Sequence, residues 1–150
     1  MGPAALRIGH KFSGSMPTII DELTDNALDY NYKYNPTFYP GFRCIAYAFD
    51  GSRLIAAGIN KPKTHTIIKD YYNNDRCTSI HAEADLIIHL LKIRPNKKKA
   101  ITDVVIIRGT QKLLSSKPCI SCQTLLHKFL PFVRIWWFNA PDNCWSVYLA

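Results

Sequence analysis

The stretch Ser79–Leu91, SIHAEADLIIHLL, sets an imidazole and a carboxylate two residues apart at the head of an apolar segment. Ile80, Ala84, Ile87, Ile88 and Leu91 recur at helical spacing on one broad face, which predicts a buried helix from Ser79 to about Ile93, stopped near Pro95. A core helix has no need of its own to open with His81 and Glu83, because groups that can carry charge are costly to bury. The two residues therefore call for a task at that helix end.

Toward the N-terminus, RCIAYAF (Arg43–Phe49) and RLIAAGIN (Arg53–Asn60) are short apolar segments joined through Asp50-Gly51, which predicts two antiparallel strands and a tight turn. Ahead of them Ile19, Ile20, Leu23 and Ala27 follow Pro17 at helical spacing, predicting a helix from Pro17 to about Tyr30. NYKYNPTFYPGF (Asn31–Phe42) reads as a loop, and Met1–Ser15 as a loosely held, flexible arm.

Toward the C-terminus, Lys97–Lys99 reads as a charged loop and DVVIIRG (Asp103–Gly109) as a strand covered on both faces. PCISCQTLLHKFL (Pro118–Leu130) is a second buried helix with Pro118 at its start. FVRIWWF (Phe132–Phe138) and CWSVYLA (Cys144–Ala150) are strand-like. Only the five residues NAPDN separate them, too few for a crossover helix, so they are expected to pair as an antiparallel hairpin.

The 150 residues fit one domain, 1–150, and a composition 47% hydrophobic and 20% charged is that of a folded globular chain. No apolar run reaches the roughly 18 residues a membrane span needs, and MGPAALRIGHKFSGSMP lacks the sustained apolar core of a secretory signal. A soluble, intracellular, cytoplasmic protein is expected, with no membrane partner. Five cysteines, an odd number, argue for reduced thiols, some of them metal ligands. The net charge of +8 implies attraction to anions such as nucleotides or nucleic acid.

Cys119 and Cys122 open one predicted helix as His81 and Glu83 open the other, and each helix follows strand material. Both helix ends can meet at one sheet edge, where backbone amides and helix dipoles favour thiolates. One histidine and two cysteines suit tetrahedral zinc with its fourth position left to water. The spacing of Cys119 and Cys122 turns both sulfurs to one point. Residues two apart on a helix face differently, so Glu83 need not ligate the metal that His81 holds and can instead carry protons beside it. Either pair alone has an ordinary reading, H-x-E as a cap or surface and P-C-x-x-C as a redox pair or half of a structural zinc site. Together they point to a catalytic zinc centre.

H-A-E with P-C-x-x-C resembles the cytidine deaminase superfamily, and the likeness runs from about Arg43 to Ala150 through the order of elements. The resemblance implies an α/β, three-layer α-β-α cytidine deaminase-like fold with a five-stranded mixed sheet. It implies that His81, Cys119 and Cys122 hold zinc, that Glu83 shuttles protons, and that cytosine is deaminated hydrolytically at C4. It places Asn60 against the substrate sugar and the Ala82 backbone amide against the base. His65 and Lys61, in KPKTH, would hang over the pocket, and Trp137 lies where the family sets an aromatic wall. Cys77 resembles a ligand of the second zinc site of some deoxycytidylate deaminases, without a full ligand set around it.

The implied partner is a cytosine-containing nucleotide or nucleoside, with dCMP favoured because CTSIHAEADLI is similar to deoxycytidylate deaminases. The final hairpin instead resembles free-cytidine deaminases and some toxin-type deaminases. Lysines and aromatics also allow a deaminase of single-stranded DNA or RNA, and the motif allows a zinc-stabilised binding module without turnover. A homo-oligomer is compatible with the exposed aromatics.

Overall fold

The computed structural model describes residues 7–34, 43–61, 81–93 and 100–150. Helix α1 is Met16–Lys33, followed by strands β1 (Cys44–Asp50) and β2 (Arg53–Ile59), helix α2 (Ala82–Leu91), strand β3 (Asp103–Arg108), helix α3 (Ile120–Phe129), and strands β4 (Arg134–Asn139) and β5 (Cys144–Leu149). The strands form one sheet in the order β2-β1-β3-β4-β5. β1 is antiparallel to both β2 and β3, β3 is parallel to β4, and β4 is antiparallel to β5. The parallel pair is the one joined through α3, since only a crossover can return the chain in the same direction.

Alternation along β1 and β3 sorts their side chains into two cores. Ile45, Tyr47, Phe49, Val105 and Ile107 pack against Ile19, Ile20, Leu23 and Ala27 of α1. Ala46, Ala48, Val104 and Ile106 face the other way, onto Leu86, Ile87 and Leu90 of α2 and Leu125 and Leu126 of α3. The result is three layers, with α1 on one face and α2 and α3 on the other. Covered on both faces, β1 and β3 read in sequence as continuous apolar runs rather than as alternation. Among the described residues no helix is long and apolar enough to cross a membrane.

Two expectations need correction. Within the presumed flexible arm, Gly9 to Phe12 are bound to the outer edge of β2: Gly9 N donates to Leu54 O at 2.7 Å, Leu54 N to His10 O at 2.9 Å, and Phe12 N to Ser52 O at 2.8 Å. Phe12 is buried in the α1 core. The edge of β2 has open hydrogen-bonding groups, and the arm satisfies them; a lone aromatic among polar residues gave no periodic sign of it. The presumed loop at Asn31 begins too early, because α1 continues through Lys33. Buried Asn31 donates from Nδ2 to Gly109 O at 3.0 Å and Arg43 O at 3.3 Å, tying the last turn of α1 to the ends of β1 and β3.

Candidate active site

His81 and Cys119 are the N-caps of α2 and α3, both in extended backbone conformation. A cap residue aims its side chain off the helix end rather than along the helix, so two helix N-termini bring the imidazole and the thiols together. His81 Nδ1 lies 3.4 Å from Cys122 Sγ and 3.6 Å from Cys119 Sγ. Cys122 N donates to Cys119 Sγ at 3.5 Å. The three ligand atoms all lie within 4.8 Å of one another, and no fourth His, Cys, Asp or Glu joins the group among the described residues.

These separations fit zinc. With Zn–S near 2.3 Å and Zn–N near 2.05 Å, two ligands at the tetrahedral angle stand about 3.6 Å apart. Three protein ligands without a fourth is the catalytic rather than the structural pattern. Cys119 is exposed while Cys122 is buried, so the group is reachable at Cys119.

The electrostatics agree with that chemistry. Hydrogen bonding with Cys122, and against burial with His81 and the Cys122 amide, holds the Cys119 thiol down at about 4. The hydrogen bond with Cys119 raises His81 in turn, over the opposing effect of burial. Cys119 is therefore held as a thiolate beside the His81 ring, a donor ready for an incoming cation. Glu83 sits in the first turn of α2, buried, and burial raises its carboxyl pKa. The nearby imidazole and a hydrogen bond with Cys122 pull it partway back. A carboxyl so placed takes up and gives back a proton more readily near neutrality than a solvated one.

The remaining expected residues are placed as follows. Asn60 directly follows β2 and accepts from Cys44 N through Oδ1 at 2.9 Å. Ala82 is fully buried behind His81, and its carbonyl lies against Gly58, where an added Cβ would come within 2.6 Å of it. Lys61 Nζ is 2.9 Å from Asp85 Oδ1, so its ammonium is committed to a carboxylate of α2. Trp137 is half-buried, with Lys117 Nζ 5.5 Å from its ring centroid. His65, Cys77 and the Lys97–Lys99 loop lie outside the described residues.

Several residues that shape the site were not singled out in the sequence. Ser116 Oγ donates to Ile106 O and accepts from Phe138 N, each at 2.8 Å, locking β3 to β4 just ahead of Cys119. Asp85 is buried on the apolar helix and accepts from Ile59 N at 3.0 Å. His89, whose place about two turns into the helix reads in sequence as surface or packing rather than function, has Nδ1 2.9 Å from Ala57 O. A carboxylate and an imidazole spaced one turn apart within an otherwise apolar run were the available signal.

Two solved structures carry the same architecture. The cytidine deaminase from Burkholderia pseudomallei matches with a TM-score of 0.56 at 14% identity, over 85% of this chain and 91% of that one. The cytidine deaminase from Mycobacterium leprae matches with a TM-score of 0.52 at 21% identity, again over 85% and 91%. No family model matches the chain, and no curated protein sequence matches it. The chain thus has the cytidine deaminase fold, at a sequence distance where the fold is what the likeness establishes.

Proposed function

We propose that this protein is a zinc-dependent deaminase that hydrolyses cytosine to uracil in a free nucleoside or nucleotide, with a dCMP-like monophosphate as the favoured substrate. The observation that carries the reading is the meeting of His81 Nδ1 with Cys119 Sγ and Cys122 Sγ, at 3.6 and 3.4 Å, beside buried Glu83. Cytidine deaminases of the same fold support it.

Zinc held by His81, Cys119 and Cys122 would acidify a water positioned to add at C4. Glu83 would take one proton from this water and deliver it to N3, then take the second from the hydroxyl now on C4 and deliver it to the departing amino nitrogen. Water and cytosine are consumed, uracil and ammonia leave, and Glu83 ends in the state in which it began. Asn60 holds the sugar, with Oδ1 fixed by Cys44 N. The buried Ala82 places its backbone amide against the base, and its small side chain leaves the ring room.

The preference for a monophosphate rests on Lys117, exposed, just ahead of Cys119 and over the Trp137 ring, where its ammonium can meet an anion at the rim. Deamination of cytidine, deoxycytidine, CMP, dCMP and cytosine-containing oligonucleotides, compared by mass spectrometry, tests the substrate class. The proposal expects dCMP to have the highest kcat/KM. Oligonucleotides that turn over best, with affinity falling steeply with salt, would contradict it.

A further inference from the structure

We propose that Asp85 is a positioning residue for substrate: it holds the backbone on both sides of Asn60 to the helix that carries Glu83, so that the sugar contact and the proton carrier keep a fixed separation. The inference rests on the deaminase reading, in which Asn60 meets the sugar.

Asp85 lies one turn into α2, with a side chain only 3% exposed. Its two oxygens divide their work. Oδ2 accepts from Ile59 N at 3.0 Å, and Oδ1 receives Lys61 Nζ at 2.9 Å. Those partners are the residues immediately before and after Asn60, whose own Oδ1 is fastened to Cys44 N. One turn farther along, His89 Nδ1 meets Ala57 O at 2.9 Å and stands 3.7 Å from Asp85 Oδ2. The chain from Ala57 to Lys61 is thus gripped at three residues by α2, whose N-terminal end presents His81 and Glu83.

A carboxylate is an uneconomical way to stabilise that spot. Burying an ion whose partner ammonium is 34% exposed brings little or no net stability, and an apolar side chain would fill the space as Leu86 does beside it. A carboxylate alone supplies two directed acceptors, one to each flank of a single residue. The same pairing neutralises Lys61, which on this account serves the substrate through the pose of Asn60 and makes no contact with phosphate.

The test is steady-state kinetics of the zinc-loaded full chain on cytidine and dCMP, for wild type, Asp85→Ala, Asp85→Asn, Lys61→Met, Asn60→Ala and the Asp85→Ala/Asn60→Ala double variant. Zinc content and thermal melting are followed in parallel. Asp85→Ala is expected to raise KM about tenfold while kcat falls by less than about threefold. Asp85→Asn, which keeps an acceptor for Ile59 N, should recover part of that loss. In the double variant, Asp85→Ala should add little to the loss from Asn60→Ala, because the two act as one unit. Lys61→Met should raise KM by the same factor for nucleoside and monophosphate.

Losses from Asp85→Ala and Asn60→Ala that multiply in full, or a Lys61→Met penalty confined to dCMP, would overturn the role while leaving the deaminase reading intact. A wild type that turns over neither substrate removes that reading and this inference with it. Should Asp85→Ala not fold, Asp85→Asn and Lys61→Met each combined with Asn60→Ala carry the same comparison.

Discussion

A Cβ placed on Gly58 would stand 2.2 Å from the backbone nitrogen of Leu86, so β2 and α2 meet backbone to backbone. No flexible side chain is there to yield; the helix itself would have to move. Gly58→Ala is therefore expected to cost about 3 kcal/mol or more in urea unfolding. The helix that moves carries His81 and Glu83, so zinc affinity should fall with stability. Unchanged stability and zinc binding would show that the contact is looser than the geometry indicates.

Asp103 supplies a pH-dependent part of the stability. Burial alone would raise its pKa, yet hydrogen bonds from Arg134, Trp136 and Thr102 hold it below the usual carboxylate range. Arg134 Nε donates at 2.7 Å and Arg134 NH2 at 3.0 Å, while Trp136 Nε1 donates at 2.9 Å. A group with a depressed folded pKa contributes stability above its unfolded pKa and loses it as pH falls through the folded value. Arg134→Ala should cost about 1–2 kcal/mol at pH 7, because the remaining donors are left with a poorly compensated buried charge. The gap from wild type should begin to narrow as pH falls below about 4, the unfolded carboxylate value, and close as pH passes the lower folded value. Urea unfolding of both proteins between pH 3 and 7 measures it, and a gap constant across that range would exclude Asp103 as its source.

The Cys119 thiol, held at about 4, makes the metal-free protein chemically distinctive. An ordinary thiol with a pKa near 8.5 loses about tenfold in alkylation rate per pH unit below that value. Cys119 should react with iodoacetamide at nearly the same rate from pH 8 down to about 5.5. Added zinc should protect it. Peptide mapping after timed alkylation of chelator-treated protein gives the rate at this residue alone. A rate at Cys119 that falls tenfold per unit would remove the thiolate from the account.

How far these features were legible in the sequence depended on whether local pattern or tertiary partnering set them. The periodicity of α2 and α3, the Asp50-Gly51 turn and the continuous run of β3 are local, and each fell close to its place. H-x-E and P-C-x-x-C pointed to the cluster of His81, Cys119 and Cys122 because a ligand set restricts residue type as well as spacing. Gly9–Phe12 was misread because its order comes from the open edge of β2, which lies more than forty residues away in the chain. Asp85 and Lys61 were unreadable as a pair for a related reason: the contact exists only once α2 has packed across β2.

The central claim is that His81, Cys119 and Cys122 hold one zinc ion and that Glu83 moves the protons of a hydrolytic deamination. It is tested most directly by ammonia release from cytidine and dCMP, measured alongside zinc content, for wild type, Glu83→Ala and Cys119→Ala. The account predicts one zinc per chain and turnover in wild type, full zinc with turnover reduced about 10³-fold in Glu83→Ala, and loss of zinc in Cys119→Ala. Fully zinc-loaded wild type releasing no ammonia from either substrate, or Glu83→Ala turning over as fast as wild type, would contradict it.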